Sequence, residues 1–388
     1  MSTVQVPICA PEESGSSLLE AWFELWLEAS SATLGEFARA LTRGPRTPLE
    51  LARWLELVAV RDKPAWSTPH RVVWEGPLAR LRDFSSPQPA DVVSTLVLPP
   101  QAGHDSCIVD YSTDQSQMRT ILEAGLERAF ALDWVGATAS TAHATIEDYI
   151  AVVDRAVAHA GGRVNLVGDC QGGWLATVYA ALYPERVNTL TIAGAPIDFH
   201  AGQAVIHEVL DDLTPGGSLT FYKALVASGG GVLKGEHMLR GFILINPLDE
   251  YSRQLELLRN IDDAEHVARY REFEDWFKHT QDIPGAFYLW IVEHLFRDNA
   301  LISGTLEVGG RAVDLAAIDM PLALLAGASD HITPPAQVFA LAEAASTQPQ
   351  AVRYELASGG HLGLFMGHEA LAEKWPSLLS AVAAHSQP

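Results

Sequence analysis

Residues 164–174 read Val-Asn-Leu-Val-Gly-Asp-Cys-Gln-Gly-Gly-Trp. Cys170 in this run is the side chain best placed to attack a carbonyl carbon. Val164 to Val167 has the length and composition of a buried strand, and Gln171 to Tyr183 reads as a helix. Gly168-x-Cys170-x-Gly172 therefore falls on a sharp strand-to-helix turn. Such a turn holds its central residue in a strained backbone. Side chains two positions before and after it would collide with neighbouring elements, which glycine avoids. The turn lifts the sulfur above the sheet and points the Gln171 N–H into an oxyanion hole. The field at the start of the next helix favours thiolate, whereas Asp169 works the other way. A cysteine here is also free to be an inert apolar residue, so its partners decide the reading.

A nucleophile on such a turn needs an acid and then a histidine, in that order along the chain. The strand Leu322 to Ala326 runs into Gly327-Ala328-Ser329-Asp330-His331, and the strand Ala351 to Leu356 runs into Ala357-Ser358-Gly359-Gly360-His361. Asp330 and His361 are thus expected in two successive loops at one sheet edge. His361 would take the thiol proton and return it, and Asp330 would fix the tautomer of His361. The loop after Val93 to Leu98, Pro99-Pro100-Gln101-Ala102-Gly103-His104, should supply the second oxyanion N–H, from Ala102. His104 is open to two readings, pocket lining or a solvated surface histidine. His331 is open between substrate contact and loop packing. Cys107 reads as a bystander.

The elements that must hold these residues follow from periodicity. Helical segments are expected from the Ser17–Glu20 capping box onward, with Trp22, Phe23 and Trp26 on one apolar stripe, and again over Leu49 to Val60. A hairpin, Val72 to Trp74 with Ala79 to Phe84, turns at Gly76-Pro77. Strands at Val93, Arg128, Val164 and Thr189 then alternate with helices at Ser116, Thr145 and Gln171, which implies a mostly parallel sheet. From about His200 to Ala317 the chain turns mostly helical, with Gly229-Gly230-Gly231 as a hinge or tight turn. The alternation resumes at Leu322, with a helix near Ala336 to Ala345 and a last one through Leu371 to Ala384. The expected organisation is an N-terminal helical segment (1–68), a first part of an α/β core (69–199), an inserted helical cap (200–317) and the second part of the core (318–388). A cap there would lie over the carboxyl edge of the strands, where ligands bind in open α/β sheets. Trp134, Trp174, Trp276, Phe277, Trp290 and Phe296 would line an acyl tunnel or simply fill the core.

The chain has 388 residues, 48% of them hydrophobic, enough for a large core. With 26 basic against 48 acidic residues the net charge is −22. That disfavours nucleic acid and anionic membranes, which need clustered Lys and Arg. Three cysteines with no close pair suggest neither a disulfide framework nor a metal site, so a reducing, cytoplasmic setting is expected. No signal peptide and no transmembrane segment is expected.

Asn165-Leu166-Val167-Gly168-Asp169-Cys170-Gln171-Gly172-Gly173, Ala195-Pro196-Ile197-Asp198-Phe199, Asp330-His331-Ile332-Thr333-Pro334-Pro335 and Gly359-Gly360-His361-Leu362-Gly363 together resemble the polyhydroxyalkanoate synthases, from about Thr68 to Gly367. The resemblance implies an α/β-hydrolase fold and a hydroxyacyl thioester on Cys170 loaded from coenzyme A. It further implies chain growth by transfer to a hydroxyl under a mobile cap, Asp330 activating that hydroxyl, no cofactor, and a homodimer or second synthase subunit. Pro99 to Ser112 departs from the synthase pattern, and Gln101-Ala102-Gly103-His104 with Glu272-Phe273-Glu274-Asp275-Trp276 instead resemble an uncharacterised bacterial branch of synthase-like proteins. Hydrolysis of an ester, thioester or polyester by the same triad is the alternative. Docking of the Trp22 stripe on a granule surface or a partner subunit is a third reading. Coenzyme A phosphates would call on a local basic patch, for which Lys223, Lys234, Arg240 and Arg253 are candidates.

Overall fold

The computed structural model of the protein describes residues 47–202, 204, 217–245 and 247–387. Cys9, the Ser17–Glu20 capping box and the Trp22, Phe23 and Trp26 stripe lie outside these residues. The chain divides into two compact units, one of Met1–Arg61 with Asn246–Glu272, the other of Asp62–Ile245 with Phe273–Pro388. The stretch 200–317 contributes to both.

The larger unit is built on an eight-stranded sheet. Its strands are β1 (Arg71–Glu75), β2 (Ala79–Asp83), β3 (Ser94–Leu98), β4 (Ala129–Trp134), β5 (Val164–Asp169), β6 (Val187–Ala193), β7 (Leu322–Gly327) and β8 (Val352–Ala357). They lie in the order β1-β2-β4-β3-β5-β6-β7-β8. β1 and β2 form an antiparallel hairpin that also pairs antiparallel with β4, and all other pairings are parallel. This is the α/β-hydrolase fold. β3 to β7 are buried along their whole length, as strands covered by helices on both faces must be. Alternate residues feed two cores: Val164 and Leu166 point to one, Val167 to the other.

The helices of this unit are α1 (Gln117–Glu123), α2 (Ile146–His159), α3 (Gln171–Leu182), α4 (Thr220–Ser228), α5 (Gly235–Ile245), the end of α6 (Ala264–Phe277), α7 (Gly285–Trp290), α8 (Pro335–Ala344), α9 (Gly363–Met366) and α10 (Trp375–Ala384). α2 shows why they form. Asp148 closes a capping box on Thr145, and Ile146, Tyr149, Ile150, Val153, Ala156 and Val157 make one buried stripe. α3 has no such stripe because it is buried all round from Gly172 to Leu182. Two short ribbons missed by the sequence reading cross the 200–317 stretch, Val232–Leu233 with Ile283–Pro284 and Glu307–Val308 with Arg311–Ala312. Two-residue strands are too short to leave a period. In the smaller unit, Thr47–Ala59 and Pro247–Arg259 pack through Leu57, Leu257, Ile261 and Val267, and Trp54 Nε1 donates to the Gln254 carbonyl at 3.1 Å.

The end of the sheet opposite Cys170 is tied by a buried polar cluster. Asn165 Nδ2 donates to Ser386 Oγ at 2.8 Å, and its Oδ1 accepts from Asn188 Nδ2 at 2.8 Å and Thr189 Oγ1 at 3.1 Å. Asn165→Ala should cost about 2–4 kcal/mol, because it removes hydrogen bonds from three buried partners and leaves the Thr189 hydroxyl without one. Urea denaturation checks this, and a loss under 1 kcal/mol would contradict it.

Candidate active site

The chain leaves β5 at Asp169 and enters α3 at Gln171, so the whole reversal falls on Cys170. Its φ is 50° and ψ −117°, a left-handed conformation that a side chain rarely adopts. Its N–H donates to the Ala193 carbonyl at 2.8 Å, and its carbonyl accepts from Gly173 N at 2.9 Å. The flanking glycines serve close approach. A Cβ on Gly168 would lie 2.5 Å from the Gly172 carbonyl oxygen, and one on Gly172 would lie 2.0 Å from the Leu98 oxygen. Gly172→Ala should therefore displace the β3 loop from the elbow. Catalytic activity should fall about 100-fold or more with a lower Tm, and an unaltered kcat/KM would refute this account.

Asp330 follows β7 and is buried. Its Oδ1 accepts from the N–H groups of Ile332 (2.9 Å) and Thr333 (2.8 Å), and its Oδ2 accepts from His361 Nδ1 at 2.7 Å. His361 follows β8 and is nearly buried, with its ring edge-on to Phe365 at 5.3 Å. The two loops touch closely, since a Cβ on Gly327 would lie 2.6 Å from the Gly359 oxygen. Burial pushes the His361 imidazole down. The charges of Cys170 and Asp330, with the Asp330 hydrogen bond, outweigh burial and hold it well above its ordinary value. The structure thus brings Cys170, His361 and Asp330 together at the carboxyl ends of β5, β7 and β8.

Gln171 is the first residue of α3, so its N–H has no acceptor within the helix. Ala102 is buried in a loop held from several sides. Trp134 Nε1 donates to the Pro99 carbonyl (2.9 Å), Gln101 Nε2 to Tyr149 Oη (2.6 Å) and Gln281 N to the Gly103 carbonyl (2.8 Å). Gly103 has φ +83°, and a Cβ there would lie 3.0 Å from Met238 Cβ on α5. The 200–317 stretch therefore packs directly on this loop.

His104 is not a solvated surface residue. It stacks on Trp276 (5.1 Å) and Phe277 (5.4 Å) and lies 5.5 Å from Phe242. Burial pulls its imidazole down to about 4, so it is neutral near pH 7, and its Nε2 has no hydrogen-bond partner among the described residues. His331 is exposed beside Asp330. Trp174 is buried in the core on the other face of the sheet, near Phe287 and Trp290, whereas Cys170 packs with the opposite core. Cys107 is buried and free, and burial pushes its thiol well above the usual range. Trp134, Trp276 and Phe277 are buried, and Trp276 Nε1 donates to the Asp105 carbonyl at 2.9 Å.

The sequence reading missed Leu239, Phe242 and Ile243, half-buried on one face of α5 in the same apolar cluster as Cys170. Their i, i+3, i+4 spacing was the available signal. Three of the four cap cations are paired with acids: Lys234 with Asp282 (2.8 Å), Arg240 with Glu236 (3.7 Å) and Arg253 with Glu250 (2.5 Å). Among the described residues no helix is long and apolar enough to cross a membrane.

The chain is similar in sequence to curated proteins. The chain is 29% identical over 283 residues to the poly(3-hydroxyalkanoate) polymerase subunit PhaC of Haloarcula marismortui, covering 70% of this chain and 57% of that one. It is 26% identical over 337 residues to the subunit of the same name from Haloferax mediterranei, covering 84% and 66%. The chain thus spans about three fifths of the length of these relatives. A solved monoacylglycerol lipase from Paleococcus ferrophilus aligns at 16% identity with a TM-score of 0.45, covering 79% of this chain and 99% of that one. A family model described as a protein of unknown function, DUF3141, matches residues 84–384, and the chain belongs to that family.

Proposed function

We propose that this protein is a cysteine-dependent acyltransferase of polyhydroxyalkanoate-synthase type. It takes a hydroxyacyl group from coenzyme A onto Cys170 and passes it to a hydroxyl. The carrying observation is the strained Cys170 on its elbow beside His361, whose Nδ1 bonds to Asp330 and whose imidazole is held well above its ordinary value. The curated relatives named as poly(3-hydroxyalkanoate) polymerases support the substrate class.

His361 takes the thiol proton of Cys170, and the sulfur attacks the thioester carbonyl. The oxyanion forms toward the N–H groups of Gln171 and Ala102. The carbon–sulfur bond to coenzyme A breaks, and the leaving thiolate takes the proton from His361. His361 then removes the proton of an incoming hydroxyl, whose oxygen attacks the Cys170 thioester. The ester leaves, and the Cys170 sulfur takes the proton back from His361. Thiol–thioester exchange is nearly isoenergetic, which suits a nucleophile that must load and unload acyl groups. Side chains supply the nucleophile, acid and base, so the reaction draws on no cofactor. Leu239, Phe242 and Ile243 offer the acyl chain an apolar wall.

Asp330 is buried, and its oxygens accept from His361 on one side and from two backbone N–H groups on the other. Asp330 therefore acts on an incoming hydroxyl through His361 rather than by touching it. Hydrolysis shares the acyl-enzyme and is the second reading, with water replacing the hydroxyl on the same fold. Incubation with 3-hydroxybutyryl-coenzyme A separates them. Mass added at Cys170 with polymer supports the synthase reading, and free hydroxyacid alone supports the hydrolase.

A further inference from the structure

The residue before the nucleophile has a role that neither step above uses. Asp169 and Gln117, at the start of α1, are both fully buried, and Gln117 Nε2 donates to Asp169 Oδ1 at 3.3 Å. Asp169 Oδ2 and Gln117 Oε1 each lack a partner among the described residues. Other buried carboxylates of this unit are richly matched. Asp133 lies against Arg82 (2.6 Å) and Arg80 (3.4 Å). Asp110 accepts from Ser67, Thr68 and Ser116. An ionised Asp169 would have one long amide bond and only the weaker pull of the His361 charge, with a second orphaned acceptor on the same Gln117. That arrangement is costly in a dry interior. A proton on Oδ2 turns two orphaned acceptors into a donor and an acceptor.

We propose that Asp169 is a positioning residue held as a neutral carboxylic acid in a closed amide–acid pair with Gln117, which keeps negative charge away from the sulfur of Cys170. This rests on the reading of Cys170 as the nucleophile. Burial lifts the Asp169 carboxyl to about 8, against the weaker pull of the Gln117 bond and the His361 charge. α1 contributes the uncharged Gln117, and β6 contributes Ala193, its register partner, and Thr191. Neither β6 residue titrates. Of the charged groups on neighbouring elements, His361 acts on Asp169. The sequence reading took Asp169 as a charge opposing the thiolate. Protonation removes that opposition until alkaline pH.

The test is a pH titration of the whole chain carrying 13C-labelled aspartate carboxyls, followed by NMR, with Asp169→Asn to assign the signal. One carboxyl should stay protonated at pH 7, titrate near 8 and vanish in the variant. Asp169→Asn can form the same closed pair without a titrating proton. Its Tm advantage over the wild type should grow as pH rises from the ordinary carboxylate range to about 8, then level off. The sign follows because the folded carboxyl keeps a proton that the unfolded chain releases across that window. The alkaline fall in kcat/KM should also be lost. Titration of Asp169 with ordinary carboxylates, or a Tm difference independent of pH, overturns the inference and leaves the role of Cys170 untouched. Failure of the nucleophile reading would show instead as Cys170→Ala retaining acyl transfer, with the titration unchanged.

Discussion

Cys170→Ala will form no acyl adduct from 3-hydroxybutyryl-coenzyme A and will lose about 10³-fold or more of its acyl-transfer rate. No other sulfur can replace it among the described residues, since Cys107 is buried with its thiol pushed well above the usual range. The backbone N–H groups of Gln171 and Ala102 do not depend on the side chain at 170. Any residual rate will therefore report on the oxyanion site alone. Intact-protein mass spectrometry checks the adduct, and release of free coenzyme A checks the rate. The fold should survive, because removing one sulfur from a half-buried position leaves the elbow glycines in place. A variant that turned over at the wild-type rate would defeat the covalent mechanism.

Asp330→Asn is expected to lower the rate about 10³–10⁴-fold while leaving the fold intact. Asn presents an N–H₂ group to one of two sites that now receive donors. Facing His361 Nδ1–H it would clash, or force the ring into the other tautomer with its proton toward Cys170. Both oxygens of Asp330 are already engaged, so the loss should appear in the first step, release of coenzyme A on loading Cys170. A residue that touched only the incoming hydroxyl would spare that burst and stop only chain growth. Rapid-quench measurement of coenzyme A release separates the two. A full burst in Asp330→Asn would return the aspartate to direct activation of the hydroxyl. The same experiment on Gly172→Ala would show whether the displaced β3 loop costs loading through its oxyanion N–H.

Much of this was legible along the chain because it depends on local rules. The turn at Gly168 to Gly172 has one purpose, and its glycines answer to contacts within a few residues and one neighbouring strand. Asp330 and His361 each follow a short strand, one buried throughout and the other the partly exposed last strand of the sheet, so a parallel sheet places both at one end. The hairpin turning at Gly76-Pro77 and the helix at Thr145 carry their own turn, cap and period, while the helix at Gln171 follows from its place after the elbow. What required the tertiary structure is what depends on packing between distant segments. Trp174 and His104 look equally suited to a pocket as sequence, yet one fills the core on the far face of the sheet and the other is stacked among Phe242, Trp276 and Phe277. The charge state of Asp169 is the sharpest case. As a residue it is an anion beside a nucleophile. Only the fold seats it in a dry site with Gln117, from more than fifty positions upstream, where burial outweighs the Gln117 bond and the His361 charge, so that its burial rather than its formula sets its charge.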